Sequence, residues 1–335
     1  MHKSKNFPIF LLMGFPRSGT TWFSNLINSS ESVIYRHELI GRNYSMLGDR
    51  VFSELKYAEG LSAADYEIVE NAIKKAHIET DKPPFFKKKY GLRKFPKIQY
   101  MFWSLAKILP RTARLYDYFY RLRSKHDWKI LIKETRSLTD MRSMILGLQP
   151  SALLFLVRTP QATILSHLKG VQKKKMGPIS PDVKKRLLLE ASDSAFFKAH
   201  LSHKHLHTEL QDIEFYAINW VLYHEKALAL KTEFASASIY FYDDIMENPP
   251  QQIAQIFSML GLEICDEVAN YIAQSSGQKS NFLKDAGDQY YSVYRDNSFN
   301  KDSWMEELTQ EEIELINSYC KTMYEELGKL KIQCN

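Results

Sequence analysis

The sequence predicts an α/β fold in which a doubly wound, mainly parallel central sheet is flanked by helices. Three observations predict it. Short apolar or β-branched runs recur along the chain, segments of helical periodicity separate most of them, and polar or charged residues follow each run at once. Parallel strands need long crossover connections, so runs alternating with helical segments are what such a sheet leaves in a sequence. Ligands of these sheets lie beyond the carboxyl ends of the strands, which makes the residues after each run the first candidates for a site.

The first run, Ile9 to Met13, leads through Gly14-Phe15-Pro16-Arg17-Ser18-Gly19-Thr20-Thr21-Trp22 into a helical Phe23-Ser24-Asn25-Leu26-Ile27. Two glycines five apart between a buried strand and a helix match the phosphate-holding loop G-x-x-x-x-G-K-[ST]. Thr20, however, stands at the lysine position, and the long cation, Arg17, lies inside the loop. Backbone N–H groups of Ser18 to Thr21, two hydroxyls and the Arg17 fork make an anion site without that lysine. The second run, Val33 to Tyr35, is followed by Arg36-His37-Glu38, and the third, Lys129 to Ile132, by Lys133-Glu134-Thr135-Arg136. The fourth, Ala152 to Val157, ends in Arg158-Thr159-Pro160, and the fifth, Ser238 to Phe241, in Tyr242-Asp243-Asp244. An arginine at the mouth of a buried strand is costly unless paired, so Arg158 calls for an anionic ligand or an Asp partner.

At 335 residues, with 44% hydrophobic and 25% charged side chains, the chain has the means to bury a large core and is expected to be ordered. Cys265, Cys320 and Cys334 are widely spaced and form no CxxC or Cys/His cluster, which suggests neither a disulfide framework nor a zinc site and points to a reducing, cytoplasmic setting. The early apolar run is too short for a bilayer core and leads straight into the glycine loop, so no secretory signal and no membrane span are expected. The net charge of +6 is uneven: residues 82 to 136 hold sixteen Lys/Arg against Asp117, Asp127 and Glu134, or +13, leaving −7 for the remainder. Such a block either attracts an anionic ligand or polymer or forms a solvated helix face. Lys82-Pro83-Pro84-Phe85-Phe86-Lys87-Lys88-Lys89-Tyr90-Gly91 reads as a loop that does not divide domains. The expectation is one domain over residues 1–335, with a basic helical and loop excursion at about 40–128 covering an acceptor site.

With these pieces placed, the chain resembles the sulfotransferases that use 3′-phosphoadenosine 5′-phosphosulfate (PAPS), over nearly its whole length. Four stretches carry the resemblance: Pro16 to Trp22, like the family's Pro-Lys/Arg-Ser-Gly-Thr-Thr-Trp; Arg158 with Ser166 eight residues on; Tyr242-Asp243-Asp244-Ile245 before Asn248-Pro249; and YRDNSFNKDSWMEEL near the C-terminus. The resemblance implies a P-loop-like sulfotransferase fold in which Arg17, Ser18, Gly19, Thr20 and Thr21 hold the 5′-phosphosulfate. It places Trp22 and Tyr242 at the adenine, where each is otherwise a packed core aromatic. Arg158 and Ser166 would share the 3′-phosphate, unless Ser166 merely bonds its own helix. The last stretch matches loosely: Arg295 is the chosen 3′-phosphate ligand, Lys301 an alternative, and an ordinary surface loop a third reading.

Sulfuryl transfer needs an aligned acceptor, a base for its proton and cations for charge growing on the leaving phosphate. In the family's cytosolic branch the base is a histidine two residues after a strand-end lysine; here that place, after Lys133, holds Thr135. Other branches use a glutamate shortly after the second strand, which selects Glu38, then His37, then Glu134. A competing reading pairs Glu38 with Arg36, Arg42 or Arg17, which would weaken it as a base. Arg17 is expected to stabilise the leaving oxygen and Lys133 to contact the sulfuryl group. No metal is required. The product would be 3′,5′-ADP (PAP) and the acceptor a small molecule or carbohydrate bearing a hydroxyl or amine, with no nucleic-acid partner; the sequence sets no oligomeric state. Rival functions are a P-loop kinase or NTPase, against which the missing Gly-Lys pair argues, and a noncatalytic polyanion binder drawing on the basic segment.

Overall fold

The computed structural model describes residues 7–39, 63–123, 126–135, 141–175, 177–201, 210–275 and 301–331. Strands β1 (Ile9–Gly14), β2 (Val33–His37), β3 (Lys129–Glu134), β4 (Ala152–Val157) and β5 (Ala237–Phe241) form one sheet in the order β2-β3-β1-β4-β5, and every pairing is parallel. β1 is central, and the order reverses on either side of it, so its carboxyl end faces the crevice where open α/β sheets bind ligands.

Alternation sorts the strand side chains onto two cores. Phe10, Leu12, Val33, Tyr35, Leu131, Leu154 and Leu156 pack with helix α1 (Thr20–Asn28). Ile9, Leu11, Met13, Ile34, Ile130, Ile132, Leu153 and Phe155 pack on the other face with helices that include Asp212–Glu233 and Gln310–Lys329. Both faces being covered, the strands are apolar on both sides, which is why they read as continuous runs. The doubly wound class holds. β1 and β5 each exceed their predicted limits by one residue, and two strands by two: β2 continues through His37 and β3 through Glu134. Their polar ends are ladder residues because neighbouring strands pair with them, as His37 does with Lys133.

Between β2 and β3 lie helices α2 (Ala63–Lys74), α3 (Pro96–Ile108) and α4 (Ala113–Tyr120), with residues 82–90 forming a loop. Two cations here are not on a solvated face. Lys88 is buried and donates to the carbonyls of Asn28 and Ser30 and to Asn28 Oδ1, closing the C-terminal end of α1, and burial lowers its pKa to about 7. Arg93, also buried, donates to the Tyr120 carbonyl. Among the described residues no helix is long and apolar enough to cross a membrane. Cys265 and Cys320 are free thiols, and Cys334 lies outside the described residues.

Candidate active site

The loop between β1 and α1 is held by close approaches. A Cβ on Gly14 would lie 2.4 Å from Thr20 Cγ2 and 2.9 Å from the Leu156 carbonyl oxygen. Gly19 caps α1 at φ 87°, and a Cβ there would lie 2.5 Å from the Tyr242 ring, so this position demands glycine on both counts. Arg17 also takes positive φ, 73°, a strain of about 1–3 kcal/mol for a residue with a side chain. The Ser18 N–H donates to the Phe15 carbonyl at 3.1 Å, closing the turn, so the expected cradle of N–H groups starts at Gly19 rather than Ser18. Thr20 and Thr21 begin the helix, where N–H groups have no intrahelical acceptor. The Ser18 hydroxyl is buried without a hydrogen-bond partner in the protein, which costs about 1–3 kcal/mol unless a ligand supplies one.

Residues distant in sequence converge on this loop. Arg17 Nε donates to Ser166 Oγ at 3.0 Å, from the loop that enters α1 to the helix Pro160–Gln172, and Arg158 Nη1 donates to the Arg17 carbonyl at 3.3 Å. Ser166 is therefore turned to the loop. The Arg158 guanidinium lies over the Tyr242 ring, 5.2 Å from its centroid, and Trp22 meets the same ring edge-on at 5.8 Å. Trp22 is also core, only 6% exposed and tilted against Tyr271. Asp243, next to Tyr242, accepts from the Thr159 N–H and hydroxyl and so pins the turn that carries Arg158.

A second cluster forms where β2 and β3 end. Glu38, at φ 42°, donates its N–H to the Lys133 carbonyl at 2.8 Å. Its Oε1 accepts from Thr135 Oγ1 at 2.7 Å and from Lys133 Nζ at 3.4 Å, and His37 Nε2 stands 4.0 Å from Oε2. The Tyr35 hydroxyl lies 2.9 Å from His37 Nδ1. Arg36 does not join this cluster: alternation turns it to the opposite face, where it is fully buried, pairs with Asp81 and donates to the Ile73 carbonyl at 2.9 Å. The reading in which Arg36 neutralises Glu38 is thereby overturned. Glu134, fully buried and opposite Met13, follows the same alternation away from Lys133.

Arg42, Arg136 and Arg295 lie outside the described residues. Lys301 is exposed and pairs with Glu247. Among the described residues no group of three or more His, Cys, Asp and Glu is placed to hold a metal. Two participants escaped the sequence reading. Thr135 registered there only as a missing histidine, although its place two residues after Lys133 puts it on the same strand face. His167 follows Ser166 in sequence; its Nε2 lies 3.0 Å from the Pro16 carbonyl, which can only accept, so that nitrogen carries the proton. The ring stacks on Tyr216 at 4.5 Å, and burial lowers its pKa to about 4, keeping it neutral beside Arg17.

A family model for the sulfotransferase domain matches residues 8–331, and the chain belongs to that family. No curated protein matches it in sequence. Solved structures similar to it include mouse sulfotransferase SULT7A1 complexed with PAP, at 13% identity, covering 97% of this chain and 90% of that one with a TM-score of 0.45. The sulfotransferase domain from the curacin biosynthetic pathway is 12% identical, with 98% and 93% covered and a TM-score of 0.43. Sulfotransferase STF9 from Mycobacterium avium is 13% identical, with 98% and 78% covered and a TM-score of 0.41.

Proposed function

We propose that this protein transfers a sulfuryl group from PAPS to a hydroxyl or amine of a small-molecule or carbohydrate acceptor, leaving 3′,5′-ADP. The convergence of Arg17, Arg158 and Ser166 on one loop, across up to 149 residues of sequence, carries the reading. That donor set suits an anion with two separated charged groups: it consists of cations, hydroxyls and helix-terminal N–H groups, and the buried Ser18 hydroxyl lacks a protein partner. When bound, PAPS supplies a sulfuryl group activated by its bond to phosphate.

In this reading Arg17, Ser18, Gly19, Thr20 and Thr21 hold the phosphosulfate end, and Arg17 offsets charge growing on the leaving phosphate oxygen. Arg158 and Ser166 hold the 3′-phosphate, with Ser166 Oγ accepting from Arg17 and so facing the loop. Trp22 and Tyr242 border the adenine. Glu38 takes the acceptor's proton at a carboxylate oxygen, with Thr135 and Lys133 fixing its orientation and His37 next in line. The excursion between β2 and β3 forms part of the same domain and walls the acceptor site, which the Thr80 carbonyl, accepting the His37 N–H at 2.9 Å, supports.

Calorimetry tests the donor. Micromolar-range binding of 3′,5′-ADP without magnesium, and weaker binding of 5′-AMP, is expected; equal affinity for the two removes the 3′-phosphate assignment. Preference for ATP with magnesium over both would favour phosphoryl transfer instead. Labelled PAPS offered to hydroxyl, sugar and amine acceptors then identifies the acceptor class.

A further inference from the structure

We propose that the helical hairpin over residues 96–120 docks the protein onto an anionic lipid bilayer. Large exposed hydrophobic side chains are concentrated there: of the sixteen among the described residues, eleven lie between Leu92 and Phe119. Scattered exposed apolar residues need no explanation, but a contiguous set does.

The hairpin has two distinct faces. Inward, Gln99, Trp103 and Ala106 of α3 and Tyr116 and Tyr120 of α4 are buried. That face ties the hairpin to the body, through Trp103 Nε1 to the Ile78 carbonyl at 3.1 Å and the Tyr116 hydroxyl to Asp81 at 2.9 Å. Outward, Ile98, Met101, Leu105 and Ile108 recur at steps of three, four and three residues, one stripe of a helix, and all are exposed. Leu115, Tyr118 and Phe119 continue the exposed apolar surface on α4. Ile108, beside the turn at Pro110, is the most exposed of them at 76%, followed by Tyr118 at 69% and Met101 at 60%. Exposed apolar side chains thus run along both helices and across the turn that joins them, a surface to insert rather than a single point of contact.

Charge selects the occupant. Lys94, Lys97, Lys107, Arg111, Arg114 and Arg123 are exposed on this segment. Its acid between residues 92 and 123, Asp117, is half-buried and already accepts from Arg121 at 3.0 Å and from the Ala76 N–H at 2.9 Å. Apolar side chains flanked by Lys and Arg, on helices too short to span a bilayer, are the composition of an interfacial anchor. Two copies facing each other through this surface would oppose their cations. The hairpin belongs to the excursion proposed to wall the acceptor site, but the inference uses no residue of the loop after β1 or of the Glu38 cluster, so its test does not depend on sulfuryl transfer.

Co-sedimentation with vesicles tests it. The full chain is expected to pellet with phosphatidylcholine vesicles containing about a third phosphatidylserine, several-fold less when salt is raised to about 0.5 M, and weakly with phosphatidylcholine alone. Lys107→Glu with Arg111→Glu should reduce binding at least tenfold, at about fivefold for each cation removed. Met101→Asp with Ile108→Asp should abolish it, with the melting temperature of both variants confirming that they fold. Absence of wild-type binding, equal binding to neutral vesicles, or binding untouched by either variant overturns the proposal. Light scattering that shows a dimer dispersed by Ile108→Asp, without vesicle binding, assigns the face to a second copy; capture of polyglutamate but not vesicles assigns it to an acidic protein partner.

Discussion

At the loop after β1, the side chains that converge are cations, hydroxyls and aromatic rings: Arg17, Ser18, Ser166, Arg158, Trp22 and Tyr242. At the ends of β2 and β3, a carboxylate sits among a lysine, a threonine and a histidine. The first cluster is one-signed, and its Ser18 hydroxyl is buried without a hydrogen-bond partner, which suits the anion proposed for it. The second is mixed in charge, with Lys133 and Thr135 both donating to Oε1 of Glu38 and His37 standing 4.0 Å from Oε2. In the proposed reading the difference separates a cluster that binds charge from one that holds a carboxylate at a fixed angle.

That contrast is broken or sharpened by perturbing each side separately. The largest effect is expected at the carboxylate cluster: Glu38→Gln should lower kcat by roughly 10²–10⁴ while leaving 3′,5′-ADP affinity nearly unchanged. Retention of more than about a tenth of wild-type kcat, with chemistry limiting, would sink the base assignment, and collapse in His37→Ala alone would transfer the role. Next, Arg158→Ala should weaken 3′,5′-ADP by roughly 2–4 kcal/mol in calorimetry, as a charge-assisted contact is lost. If it instead lowered kcat without touching affinity, the two clusters would not divide binding from chemistry.

The loop side also carries a pH signature. His167 has a folded pKa of about 4 against an ordinary 6.5, because burial disfavours its charged form. The unfolded chain therefore binds the extra proton between those values, and stability falls as pH drops through that window. Replacing His167 with Gln, which retains an N–H for the Pro16 carbonyl, should flatten the decline by up to about 3 kcal/mol in urea midpoints measured from pH 6.5 to 4. His224, also neutralised by burial with a pKa near 3, leaves a residual slope in the variant. An unchanged curve would show that His167 is not the titrating group. The smallest effect is expected from Thr135→Val, which removes one hydrogen bond to Glu38 at constant shape: kcat should fall about tenfold with nucleotide affinity constant. No change in kcat would mean that Lys133 alone orients the carboxylate.

What the sequence determined by itself is local. The loop was legible because Gly14, Arg17, Ser18, Gly19 and Thr20 act within one strand-to-helix turn, where backbone geometry leaves few choices. The fold class was legible because strands buried on both faces leave apolar runs and crossover helices leave their own period. The partners of Glu38 were not legible. Thr135 is 97 residues away, and it reaches the carboxylate because β2 pairs with β3 in a register that sets His37 opposite Lys133. Likewise Arg36 and His37 are neighbours in sequence, yet strand alternation sends one to Asp81 and leaves the other beside Glu38. Spacing along a chain fixes what a short turn does; which strand ends meet, and on which face, is decided only when distant strands choose their order and register, since those choices follow from burying the whole sheet at once.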